Sequence, residues 1–155
     1  MYSKDEIKKI RIDFWEGFKK YSSPKRRKLG KPKNWVMQNT GIKAIDLKFD
    51  INQKQASVGI DVVSKSLNNK VAYWEILQSV RSLLNESFDI EMVWDDMFVL
   101  DSGKEIIRIA VYKDQVNIFD PKTWDSVYAF FFENMITLED WFEEYKDILQ
   151  IHKNK

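Results

Sequence analysis

The chain has 155 residues, 44% of them apolar and 14% aromatic. That is enough apolar sequence for one domain with its own core, and it excludes disorder as a description of the whole. Twenty-five bases against twenty-four acids leave a net charge of +1. Cysteine is absent and His152 is the only histidine, which excludes disulfides, thiol catalysis and Cys/His metal sites and leaves a Ser-His-Asp triad without a base except at the tail.

From the N-terminus, Ser3 with Glu6 reads as a capping box, and Tyr2 is placed to staple onto Ile7. Ile7, Ile10, Phe14, Phe18 and Tyr21 recur at helical spacing, so the first helix lays one apolar face on the core. Ser22-Ser23-Pro24 is expected to end it, because the residue before a proline avoids helical geometry. A basic loop over about 22–34 follows. From residue 42 the period becomes two: Ile45, Leu47, Phe49 and Ile51 face one way, and after a turn at Asn52-Gln53 so do Ala56, Val58, Ile60 and Val62.

Residues 70–87 return to helical spacing behind Asn68-Asn69. A second hairpin runs from Met92 to Leu100, turns at Ser102-Gly103 and returns through Ile107, Ile109 and Val111, with an extension at residues 116–118. Trp94-Asp95-Asp96-Met97 breaks the alternation there and predicts a bulge. Asp120-Pro121 opens one more helix, and Thr137 with Asp140 reads as the start of another. The expected fold is a single α+β domain over 1–155, an antiparallel sheet of two hairpins packed with helices in the order α-ββ-α-ββ-αα. Phe14, Phe18, Leu47, Ile60, Val80, Ile109 and Phe131 are expected to share its core.

The near-zero net charge hides a separation. Between Gly17 and Ile45 lie nine bases and no acid, while the remaining chain carries sixteen bases against twenty-four acids. Within the basic stretch, Lys25, Arg26, Arg27, Lys28, Lys31 and Lys33 lead to Trp35. Cations beside a stackable ring suit nucleic acid or another polyanion, and the same cations would equally dock on the chain's own acidic body. The leading reading is therefore a non-catalytic binding domain that contacts nucleic acid through this loop, with no cofactor.

An alternative reading is enzymatic. Asp46, Lys48 and Asp61 form an acid-x-Lys set on the first hairpin, with Asp50 on the same face and Asp61 diagonal to Asp46, as in Mg²⁺-dependent nucleases. The isolated acid that precedes such a set in restriction-type nucleases is missing here; Glu16 on the first helix is the nearest earlier carboxylate. Asp95 and Asp96 beside Trp94 are read as solvent-facing acids or as acids paired with Arg108, and His152 as a helix-end residue. A third alternative, an oligomerising or protein-partner module, rests on the aromatic content. Five scattered glycines allow neither a dinucleotide fingerprint nor a phosphate loop. No apolar run approaches the roughly 20 residues of a membrane span, and the acids at Asp5 and Glu6 do not read as a secretory leader. No membrane partner and a cytoplasmic location are expected.

Phe14-Trp15, Phe18 and Tyr21, then Asn34-Trp35, Thr40-Gly41-Ile42-Lys43, Ile60-Asp61-Val62, Trp94, residues 116–119 and Trp124 together resemble the bacterial domain-of-unknown-function family 4268 over nearly the whole chain. The resemblance implies a cytoplasmic bacterial α+β domain with a nucleic-acid or defence context, and assigns no catalytic residue.

Overall fold

The computed structural model describes residues 2–32, 35 and 40–150; Lys33, Asn34 and His152 lie outside the described residues. Helix α1 (Lys4–Lys28) opens as expected. Ser3 Oγ accepts from the Glu6 amide at 3.1 Å and Glu6 Oε1 accepts from the Ser3 amide at 3.2 Å. Tyr2 stacks on Phe119 with ring centroids 4.9 Å apart. Phe14 and Phe18 are buried, and Ile10 and Tyr21 pack against the same core.

The stop at Ser22-Ser23-Pro24 is overturned. α1 continues through Pro24 to Lys28, so residues 22–28 of the expected loop are helix. An interior proline costs a helix about 3 kcal/mol. The continued turn sets Arg26 on Glu139 and against the Trp35 ring, and those contacts offset that cost, which is a tertiary effect that no local rule contains.

The first hairpin is β1 (Ile45–Ile51) with β2 (Gln55–Val62), and the second is β3 (Val93–Val99) with β4 (Glu105–Asp114). All pairs are antiparallel, in the order β1-β2-β4-β3. The helical elements keep the expected order, and three boundaries differ. α2 (Leu67–Ser79) is capped by Ser66 rather than at Asn68-Asn69, and the helical stretch breaks at Val80 before α3 (Arg81–Glu86). That break brings Val80 and Leu84 into the core with Tyr73 and Leu77. Asp120 caps a 3₁₀ turn over Pro121–Thr123, and α4 (Trp124–Tyr145) follows unbroken through Thr137. The Thr137 hydroxyl donates to the Glu133 carbonyl one turn back, a bond a helix interior accommodates. Residues 116–118 form no strand. The Val116 and Ile118 amides donate to the Lys54 and Asn52 carbonyls, tying the exit of β4 to the first hairpin's turn.

Leu47, Ile60 and Ile109 align across β1, β2 and β4, and with Phe14, Phe18, Val80 and Phe131 they form one cluster, as expected. Its centre is aromatic: Phe49 lies 4.8 Å from Phe131 between ring centroids, and Phe14 meets Trp124 edge-on at 5.4 Å. β2 and β4 close tightly at Gly59, where a Cβ would collide with the Ile109 carbonyl and with Ala110. Among the described residues no helix is long and apolar enough to cross a membrane.

Candidate functional site

Because α1 extends past Pro24, the basic run is split by helical geometry. Successive residues on a helix point about 100° apart, so Arg26 turns inward while Lys25, Arg27 and Lys28 stay exposed. The Arg26 side chain is only 1% exposed. Its guanidinium donates from Nη1 and Nη2 to the two Glu139 oxygens at 3.1 and 3.4 Å, and from Nε to the Pro32 carbonyl at 2.7 Å. It also lies 3.9 Å from the Trp35 ring centre. Lys31 contacts Asp140 at 2.8 Å and Glu139 at 3.3 Å. The hydrogen bond to Asp140 pushes the Lys31 pKa up despite some desolvation.

Three members of the sequence-derived set, Arg26, Lys31 and Trp35, are thus engaged with the chain's own α4 and core. Trp35 stacks on Phe18 and meets Phe49 edge-on. The exposed cations at this end of α1 are Lys19, Lys20, Lys25, Arg27 and Lys28. Among the described residues none of the five has an acid within ion-pair distance. Lys25 lies 4.8 Å from the centre of the Tyr21 ring. Four cations in the last turn also suit the negative end of the helix dipole.

The strand acids gather on the second face of the sheet, but not as a metal site. Alternation places Asp46, Lys48 and Asp50 opposite the dry face. The register sets Asp46 directly across from Asp61, rather than diagonally, and Asp61 across from Arg108. Arg108 Nε and Nη2 donate to the two Asp61 oxygens, both at 2.8 Å, and Nη1 donates to Asp50 at 3.0 Å. Side-chain exposure is 4% for Arg108 and 5% for Asp61. Burial opposes the guanidinium's charge, but the hydrogen bonds and charge of Asp61, backed by Asp50, outweigh it and hold Arg108 above its ordinary pKa. Burial pushes the Asp46 carboxyl up; Lys48 pulls it back and Asp61 adds to the rise.

The residues of the Mg²⁺ alternative therefore do not fit the ion. Asp61 has given both oxygens to a fixed cation, and among the described residues no three His, Cys, Asp or Glu side chains are grouped to hold a metal. The expected bulge is present between Asp95 and Phe98. Phe98 lies 4.2 Å from the Arg108 guanidinium. The pairing expected for Arg108 goes to Asp61 and Asp50, whereas Asp95 accepts from the Met97 amide at 2.9 Å. Trp94 turns to the helices, donating to Asn85 at 2.9 Å under Arg81. Sequence reasoning missed the Arg108 cluster because β2 and β4 are not consecutive strands. The available signal was one acid and one arginine flanked by apolar residues within two strands, Ile60-Asp61-Val62 and Ile107-Arg108-Ile109.

Fold and site together define an α+β domain with one dry sheet face under helices, a charged second face and a cationic helix end. The chain belongs to the family described as Domain of unknown function (DUF4268), whose model matches residues 10–146. Neither the curated proteins nor the solved structures yield a match to it.

Proposed function

We propose that this domain is a non-catalytic binding module that contacts nucleic acid through the exposed end of α1. One observation carries the reading: Lys19, Lys20, Lys25, Arg27 and Lys28 stand exposed within three turns of helix and, among the described residues, without acidic partners. Arg26, Lys31 and Trp35 serve the contact indirectly, by fixing the helix end against α4. Cations spaced along a rigid helix can follow a phosphate backbone, and the contact is independent of sequence because it reaches no base edge.

The acidic remainder of the chain opposes approach from most directions, so affinity is micromolar at low salt and falls steeply as salt rises. With about four to five phosphates engaged, log affinity against log salt has a slope of roughly −3 to −4. Replacing Lys20, Arg27 and Lys28 with Gln flattens that slope by about two to three units and leaves the unfolding midpoint unchanged. An equal slope in parent and triple variant, measured by fluorescence anisotropy on single- and double-stranded oligonucleotides, would sink the reading.

A protein-partner role has one observation in its favour. Edge strand β3 exposes Val93, Met97 and Val99 at 50%, 63% and 57%. The bulge beside Phe98 blunts that edge against simple strand addition.

A further inference from the structure

A cavity of about 770 Å³ opens at the far end of the first hairpin, where β1 begins, β2 leaves the sheet and α2 starts. Its volume is within the range of small-molecule sites. Ile42, Ala44, Val63 and the Tyr73 ring supply an apolar surface, and Lys43 and Lys65 stand at its lining. No Asp or Glu is among the described residues that line it.

Ser64 and Ser66 also line it, each with its hydroxyl oxygen accepting one backbone bond. Ser64 Oγ accepts from the Ser66 amide, and Ser66 Oγ accepts from the Asn69 amide, each at 3.2 Å. Each hydroxyl keeps its O–H free to donate to a ligand and one lone pair free to accept. A space lined by apolar side chains, two ammonium groups, two hydroxyls able to donate and, among the described residues, no carboxylate recognises a ligand that is an acceptor with an apolar body. Neither ammonium has an acidic partner among the described residues.

We infer that this cavity is a binding site for a small organic anion, a phosphate or carboxylate carried on a ring or short apolar body. The anion sits between Lys43 and Lys65, and the body rests on Ile42, Val63 and Tyr73. The site stands apart from the α1 cations, so the inference does not depend on nucleic-acid binding.

The test is a titration of the ¹⁵N-labelled full chain with phenyl phosphate, benzyl alcohol and inorganic phosphate, followed through the amides of Ser64, Ser66 and Asn69. Phenyl phosphate is expected to saturate those shifts at millimolar concentration or below. Each of the other two probes, lacking half of the recognition, binds at least about tenfold more weakly. Lys43→Gln with Lys65→Gln lowers the phenyl phosphate affinity about tenfold without moving the thermal midpoint. Ser64→Ala, a milder change, weakens it by a smaller factor. The inference is overturned if phenyl phosphate gives no saturable shift up to ~10 mM, if inorganic phosphate binds as tightly, or if the double-lysine variant binds like the parent.

Discussion

Arg108 and Asp61 are almost inaccessible on the second face of the sheet, beside the equally buried Ser57, Ile106 and Ala110, so each depends on the other for charge compensation. Removing one member of a buried pair leaves an uncompensated charge, which typically costs about 3 to 5 kcal/mol, whereas replacing both with apolar residues can be neutral. Asp61→Ala should therefore lower unfolding stability by about 3 kcal/mol, and Arg108→Met added to it should restore most of the loss. Urea denaturation of the parent and the two variants checks this, and a loss under about 1 kcal/mol for the single change would mean that the pair is not buried in solution.

Asp46, across from Asp61, behaves oppositely. Its folded pKa is raised by burial, so its protonated form is the one the fold favours. The associated stability is present below the ordinary carboxyl range and is lost as pH rises through the raised value. Asp46→Asn should consequently stabilise the protein by a few tenths of a kcal/mol at about pH 7, with the advantage vanishing near about pH 3. An advantage that grows on acidification would refute the sign.

The end of α1 is held by a contact more than a hundred residues away in sequence. Arg26 on Glu139 ties the helix to α4, and Lys31 on Asp140 ties the following residues to the same turn. Glu139→Gln keeps the shape of the partner and removes its charge beside a nearly inaccessible guanidinium. It should cost about 2 to 3 kcal/mol by thermal denaturation and loosen protection of the amides in residues 25–28. Arg27→Gln, one residue from Arg26 but exposed, should change stability by less than about 0.5 kcal/mol. If the two substitutions cost the same, α1 is not latched at Arg26. Strand β3 is treated differently: its outer edge has no partner strand among the described residues, and the bulge at residues 95–98 breaks its regularity.

For the molecule as a whole, α1, the α2–α3 stretch, α4 and both hairpins feed one contiguous core. Residues sharing a single core unfold together, so tryptophan fluorescence and far-ultraviolet circular dichroism should report the same urea midpoint. Separate midpoints would show that α2 and α3 come apart before the rest. Charge is distributed unevenly over this one body. The basic stretch between Gly17 and Ile45 lies on an acidic remainder, and part of it is neutralised internally at Glu139 and Asp140.

The two hairpins were legible before any coordinates because alternation is a local signal: Ile45, Leu47, Phe49 and Ile51 on one face leave Asp46, Lys48 and Asp50 on the other whatever the strand order. The same holds for the capping box at Ser3, for the bulge after Trp94 and for the core residues from Phe14 to Phe131, each read from its near neighbours. The α1 end was misplaced because Pro24 is a strong local stop that the long-range contacts of Arg26 with Glu139 and Trp35 override, so residues 22–28 of the expected basic loop became helix. For the candidate site, the local pattern supplied the charges and the fold assigned their partners. Arg26 and Arg27 are adjacent and chemically identical, yet one is buried on Glu139 and the other meets water. Asp61 became the counter-ion of Arg108 only when β4 paired with β2. Propensity, capping and alternation act over a few residues, so sequence carries them directly; which charge neutralises which depends on contacts between distant segments, and only folding brings those together.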